Sequence, residues 1–220
     1  MTLEERLFDA ETGQYGAGAE KKQLRQLRDE LYGDVTLKLR DFLTSDGETA
    51  RVGIVTLNEI SNTKATLFIT ELYMTCLLNF AKENSETCPR CLVVVEEAHT
   101  VMPESSTMGL GDYDSRGLVS KISQIALQGR KYGIGLLVVA QRTATVTKTV
   151  LTQCNTIVAF SSFDETTTNF LAGVFGMEHA RAVRDLPRLH AIVYGKAVRS
   201  ERPIIVEIPF DPQKALDSPR

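Results

Sequence analysis

The segment Leu92 to His99, LVVVEEAH, sets four aliphatic residues directly before two adjacent carboxylates. An apolar run this short, ended by charge, reads as a strand buried on both faces, the kind found in parallel α/β sheets. Its polar end then falls at the carboxyl end of the strand, where open α/β sheets bind their ligands. Runs of similar character recur at Arg51 to Leu57, Ile134 to Ala140 and Asn155 to Phe160, with helical patterns between them. Such alternation predicts an α/β chain with a mainly parallel sheet, flanked by helices and joined by right-handed crossovers.

The intervening patterns can be placed with some detail. Glu20 to Leu31 sets Leu24, Leu27 and Leu31 on one face of an amphipathic helix whose charges read as solvated. Asp34 to Leu43 fits either a strand or a short helix. Thr63 to Glu83 reads as a long helix capped by Asn62 or Thr63. A second helix is expected from about Ser115 to Lys131, with Leu118, Ile122, Ile125 and Ala126 inward. Short helices follow at Thr147 to Gln153, Asp164 to Val174 and Glu178 to Asp185; Leu189 to Tyr194 and Pro203 to Ile208 close the chain as strands. The expected organisation is a flexible lead-in over residues 1–19, a helix and connector over 20–50, a core over 51–210 and a tail over 211–220.

Composition limits the functional classes. At 220 residues and 43% hydrophobic content the chain can bury a sizeable core. A net charge of −3 provides no global positive field for nucleic acid or anionic lipid, so any such contact must be local. No apolar stretch approaches the roughly 20 residues that span a bilayer, and the amino terminus has no signal-peptide pattern, so a cytoplasmic protein without membrane contact is expected. Cys88 and Cys91 have C-x-x-C spacing, but Cys76, Cys154, His99, His179 and His190 are scattered. That leaves no zinc site and reduced cytosolic thiols as the reading.

Three polar clusters border the buried runs. Glu96 and Glu97 follow LVVV; Gly129 to Gly133, GRKYG, precedes IGLLVVA; Gln141 and Arg142 end it. Adjacent strands lie about 4.8 Å apart, so Glu97 and Gln141 can face one ligand if their strands are neighbours. Such carboxylate, amide and guanidinium groups suit phosphoryl transfer, which depends on positioning and charge stabilisation. GRKYG also fits an ordinary helix terminus with Gly133 as its cap, and His99 fits a hydrogen-bonding or capping residue better than a metal ligand.

Taken in order, LVVVEEAH, GRKYGIGLLVVAQR and LTQCNTIVAF resemble the HerA-like hexameric DNA-translocating ATPases of the HerA and FtsK group, over about Arg51 to Ile208. The resemblance implies a RecA-like P-loop NTPase core with Glu96 and Glu97 as Walker B. Glu96 would hold Mg²⁺ through water, Glu97 would orient the attacking water, and Gln141 would sense the γ-phosphate with Arg142 beside it. Arg130 would neutralise developing charge. ATP and Mg²⁺ are the implied cofactors. A homo-hexameric ring, double-stranded DNA and a nuclease subunit are the implied partners. VGIVTLNEIS resembles the strand and turn before Walker B in this family, and GKAVRSERPIIVEI its closing hairpin.

The sequence departs from the family in lacking G-x-x-x-x-G-K-[ST]. In Gly13 to Lys22, GQYGAGAEKK, Ala19 and Glu20 stand where Lys and Ser or Thr should follow the last glycine, so this segment reads as a connector. Thr143 also stands where proline is usual after Gln-Arg. The expected chain is therefore the carboxyl-terminal, Walker B and sensor part of a longer motor, missing the P-loop strand and active only with a P-loop from the full-length chain or a partner. Weak Mg-ATP binding by the chain alone follows. The alternative is a non-catalytic interaction subunit of an ATPase or nuclease complex.

Overall fold

The computed structural model describes residues 17–44, 51–61, 63–104, 113–143 and 146–211. Most of the expected lead-in, the tail from residue 212 and residues 105–112 lie outside them. The chain divides into two compact units, one running to Gln141 and the other starting at Arg142.

The first unit opens with α1 (Ala17–Thr44), one continuous helix through the stretch whose sequence fits either state. Leu31, Val35 and Leu39 repeat every four residues and pack with Leu72, Tyr73 and Cys76 of α2 (Thr63–Glu83). That apolar seam carries the helix through Gly33, which costs about 1 kcal/mol relative to alanine in a helix interior. The charges of α1 are not all solvated, since Arg28 donates to Glu71 of α2 at 2.9 Å.

β1 (Cys91–Val95) and β2 (Ile134–Val138) pair in parallel, with Val93 opposite Leu136 and Val95 opposite Val138. Between them runs α3 (Tyr113–Gln128), where Ile122 and Ile125 are buried as expected; the side chains of Leu118 and Ala126 lie outside those described. Met74 and Leu77 of α2, Ile125 of α3, and Val93, Ile134 and Leu136 surround one small cavity, so both helices cover the same face of the strand pair. The other face is bare, with Leu92 61%, Val94 55%, Leu137 46% and Val139 43% exposed.

The sequence reading of a strand at Arg51 to Leu57 is corrected. This segment belongs to no helix or ladder among the described residues, and Val52, Ile54 and Val55 are exposed. It rests instead by the end of α1, where Arg51 Nη1 donates to the Phe42 carbonyl at 2.9 Å.

In the second unit a short α4 (Lys148–Leu151) precedes β3 (Thr156–Phe160), followed by α5 (Glu165–Phe175) and α6 (Met177–Ala182), then β4 (His190–Gly195) and β5 (Ile204–Glu207). The order is β3-β4-β5 and both pairs are antiparallel, so the mainly parallel pairing expected of the chain is confined to β1 and β2 among the described residues. The link from β4 to β5 is too short for a crossover and makes the expected closing hairpin. Gly195, at φ 123°, lets β4 pass so close to Asn155 that a Cβ would collide with its carbonyl. Leu171, Phe175, Ala180 and Val183 pack on Ala159 and Ile192 to form the core of this unit. Asp164 caps α5, accepting from the Thr167 backbone N–H at 2.8 Å and from its hydroxyl at 2.7 Å. These bonds, with the charge of Arg142 adding less, hold the Asp164 carboxyl below its ordinary value of 3.8.

Candidate functional site

The apolar residues of β1 end at buried Val95, and the chain then has to turn without pulling its carboxylates inside. Glu97 makes that turn with a left-handed φ of 47°, a conformation of order 1 kcal/mol or more above the right-handed well for a residue with a Cβ. The backbone regains hydrogen bonds at once: Ala98 N–H donates to the Val139 carbonyl at 3.0 Å, and Met102 N–H to the Ala98 carbonyl at 2.7 Å. Ala98, Val101 and Met102 fold inward and are buried, while Glu96 stays exposed. Apolar burial thus repays the strained residue and leaves Glu97 half-exposed at the mouth of the strand pair.

β2 runs beside β1 in the same direction, and Gln141 emerges at the same end. Its Nε2 donates to Glu97 Oε1 at 2.6 Å. On the other side, His99 Nδ1 lies 3.3 Å from Glu97 Oε2. Both carboxylate oxygens are therefore engaged, one by a short charge-assisted hydrogen bond, and the group is oriented rather than free to sweep its rotamers. A carboxylate held by a neighbouring amide at the carboxyl end of a parallel pair can accept a proton from water and face an electrophile beyond it.

The other residues named from sequence are distributed differently. Arg130 lies exposed in a 3-10 turn, Gly129–Tyr132, at the amino end of β2. Gly133 closes that turn at φ 76° as the expected cap, with its N–H toward the Arg130 and Gly129 carbonyls. The five-residue length of β2 separates Arg130 from Gln141, so the structure does not bring Arg130 to Glu97. Arg142 begins the second unit, where its charge acts on Asp164.

The thiols are free, and burial raises all four: Cys76, Cys88, Cys91 and Cys154. No cluster of three or more His, Cys, Asp or Glu side chains able to hold a metal occurs among the described residues.

One polar centre escapes the sequence reading. Glu71, 0% exposed in α2, accepts from Arg28 of α1 at 2.9 Å and Thr75 at 2.7 Å and pairs with Lys121 of α3, all through Oε1. Its signal was present as the one charge inside TLFITELYMTCLL, since a lone carboxylate in an apolar helix needs partners.

No protein-family model matches the sequence. The chain is similar to the probable helicase MJECL08 of Methanocaldococcus jannaschii, 31% identical over 110 residues that make up 49% of this chain and 20% of the helicase. It therefore spans about a fifth of that relative's length. Among solved structures it is similar to the genome packaging NTPase B204 of Sulfolobus turreted icosahedral virus 2. In complex with sulfate that protein gives a TM-score of 0.51 at 15% identity, over 73% of this chain and 74% of B204. In complex with ATP-gammaS it gives 0.50 at 14% identity, over 78% and 76%. No helix among the described residues is long and apolar enough to cross a membrane. At these identities the structural likeness establishes the fold: the chain is an α/β protein with a parallel strand pair and flanking helices, similar in fold to B204.

Proposed function

We propose that this chain carries the water-positioning, Walker B and sensor half of an ATP-hydrolysing site in a HerA-like DNA translocase or helicase. The observation that carries the reading is the Gln141 to Glu97 hydrogen bond, 2.6 Å, across neighbouring parallel strands at their carboxyl ends. Glu97 acts as the base that orients water, and Gln141 holds it and reports on the γ-phosphate. Glu96, a hard oxygen donor left exposed beside it, suits an outer-sphere contact to Mg²⁺. Mg²⁺ when bound would neutralise phosphate charge; this chain's residues hold the water and the metal's hydration shell. Arg142 contributes positive charge near the phosphates.

Arg130 stands at the opposite end of β2 and so serves a nucleotide held by another copy, which fits a homo-oligomeric ring. The likeness to a probable helicase and to a genome packaging NTPase seen in complex with ATP-gammaS supports ATP as the nucleotide and nucleic acid as the track, which the reading takes as double-stranded DNA. The 220 residues contain no G-x-x-x-x-G-K-[ST], so the phosphate cradle comes from residues outside them, on the same polypeptide or a partner. The core over residues 51–210 works as one half of that composite site, with a nuclease as a further partner.

The test is ATP hydrolysis by the complex recovered from its own cells with the tagged chain, measured with and without duplex DNA. DNA-stimulated hydrolysis that Glu97→Gln abolishes supports the reading; hydrolysis indifferent to Glu97 refutes it. The second reading, a non-catalytic interaction subunit, is favoured by the bare face of Leu92, Val94, Leu137 and Val139. It requires a stable complex with no loss of hydrolysis in the Glu97 variant.

A further inference from the structure

We propose that Thr143 is a positioning residue for Gln141, fastened through Thr167 to the amino end of α5 so that the Gln141 amide meets Glu97. The proposal rests on the reading of Glu97 as the base that orients water. It adds a residue that acts through Gln141 and not on the nucleotide.

Gln141 is fixed on its amino side by the strand pair. Val139 N–H donates to the Val95 carbonyl at 2.9 Å, and the Val139 carbonyl accepts from Ala98 N–H at 3.0 Å. There the ladder ends. Gln141 lies past the last residue of β2 in an exposed bend, and no backbone hydrogen bond holds it among the described residues. A side chain with three rotatable bonds on so free a backbone gives up much conformational freedom to reach one oxygen. Its Nε2 nonetheless sits 2.6 Å from Glu97 Oε1.

The constraint lies on its carboxyl side, within the second unit. Thr143 Oγ1 donates to Thr167 Oγ1 at 3.3 Å. Thr167 in turn gives its hydroxyl to Asp164 Oδ2 at 2.7 Å and its backbone N–H to the same oxygen at 2.8 Å. The carboxylate at the end of this relay polarises the Thr167 hydroxyl and makes its oxygen a better acceptor for Thr143. Thr167 is 7% exposed, so water does not readily replace either partner. α5 is itself anchored by buried Leu171 and Phe175, and Val146 N–H adds a bond to the Thr143 carbonyl at 3.2 Å. The charge of Arg142 also acts on Asp164. Arg142 alone separates Thr143 from Gln141, a reach of at most about 7 Å. That link is covalent, so it acts whichever way the two units face one another. Loss of the Thr143 hydroxyl frees the root of the Gln141 side chain, and Glu97 then loses one of its two partners.

Nuclear magnetic resonance of the Gln141 side-chain amide in the full 220-residue chain tests this without any nucleotide. Thr143→Val keeps the β-branched shape and removes the donor. It should shift that amide toward the position of a free glutamine and speed its exchange with water, while Thr143→Ser keeps the parent signal. An amide unmoved by Thr143→Val overturns the proposal. In the ATP-hydrolysing complex, Thr143→Val should lower the single-turnover rate by roughly 10- to 100-fold, with ATP affinity within about two-fold of the parent. It should cost nothing further in the Gln141→Ala background. An equal loss in that background assigns Thr143 a general structural role and refutes the positioning link. Hydrolysis indifferent to Glu97→Gln defeats the ATPase reading alone, since the amide signal still decides whether Thr143 holds Gln141.

Discussion

Glu71→Ala should be among the most destabilising single changes in the first unit, and its size can be worked from the contacts. Severing a buried ion pair costs roughly 3–5 kcal/mol when the surviving charge stays dry. Here the surviving cations do not, because the side chains of Arg28 and Lys121 are 34% and 43% exposed and rehydrate once the carboxylate is gone. Each pair is therefore discounted to the surface value of at most about 1 kcal/mol. Loss of the acceptor for the Thr75 hydroxyl adds about 1 kcal/mol, and the removed methylene about 0.8 kcal/mol plus a small cavity term. The expected cost is about 3 kcal/mol. Glu71→Gln keeps the shape and the Thr75 bond, so it should cost about 1 kcal/mol. Urea unfolding followed by circular dichroism gives both values, with an unchanged slope showing that stability alone has shifted. A Glu71→Gln protein as stable as the parent, or a Glu71→Ala cost below about 1 kcal/mol, would falsify the view that Oε1 holds three helices together.

Other consequences are open to direct measurement. Because the Asp164 carboxyl is held below its ordinary value, its stabilising contribution is complete above pH 3.8 and disappears as pH falls through the lowered folded value; Asp164→Ala should flatten that acid limb of the melting profile. The four thiols carry raised values, so their burial costs nothing below the unfolded value of 9.0 and destabilises as pH rises beyond it. Slow alkylation of all four at neutral pH, accelerating on unfolding, is expected; rapid native-state labelling of Cys91 would contradict it. Calorimetric titration of the isolated chain with Mg-ATP should give no micromolar binding, and observing it would reveal a phosphate cradle within these residues. Lys121→Met should cost no more than about 1 kcal/mol, given its exposure.

The parts legible in the sequence were those set by local pattern. LVVV and IGLLV are short apolar runs that two-sided burial could place as adjacent strands, and their adjacency then brought Glu97 and Gln141 together. Gly133 declared its turn through a conformation that few other residues adopt. What escaped depended on partners distant in the chain. Gly33 and the polar residues after it concealed the continuity of α1, which rests on Leu72 and Cys76, distant in the chain on α2. Arg51 to Leu57 has strand composition, but composition does not supply a ladder partner, and the segment joins no ladder among the described residues. The antiparallel pairing of β3 with β4 follows from chain reversal through α5 and α6, which leaves no periodic trace. Arg130 and Gln141 border one apolar run in the sequence and lie at opposite ends of one strand, where the family resemblance implied one nucleotide for both.

The central claim is that Glu97, oriented by Gln141, positions the water that attacks the γ-phosphate. Single-turnover hydrolysis in the P-loop-complemented complex, with nucleotide binding measured separately, addresses it most directly. Glu97→Gln should lower the hydrolysis rate by roughly 10²–10⁴-fold while ATP affinity stays within a few-fold of the parent. An unchanged hydrolysis rate, or a loss confined to ATP affinity, would contradict the account and remove Glu97 from the chemical step.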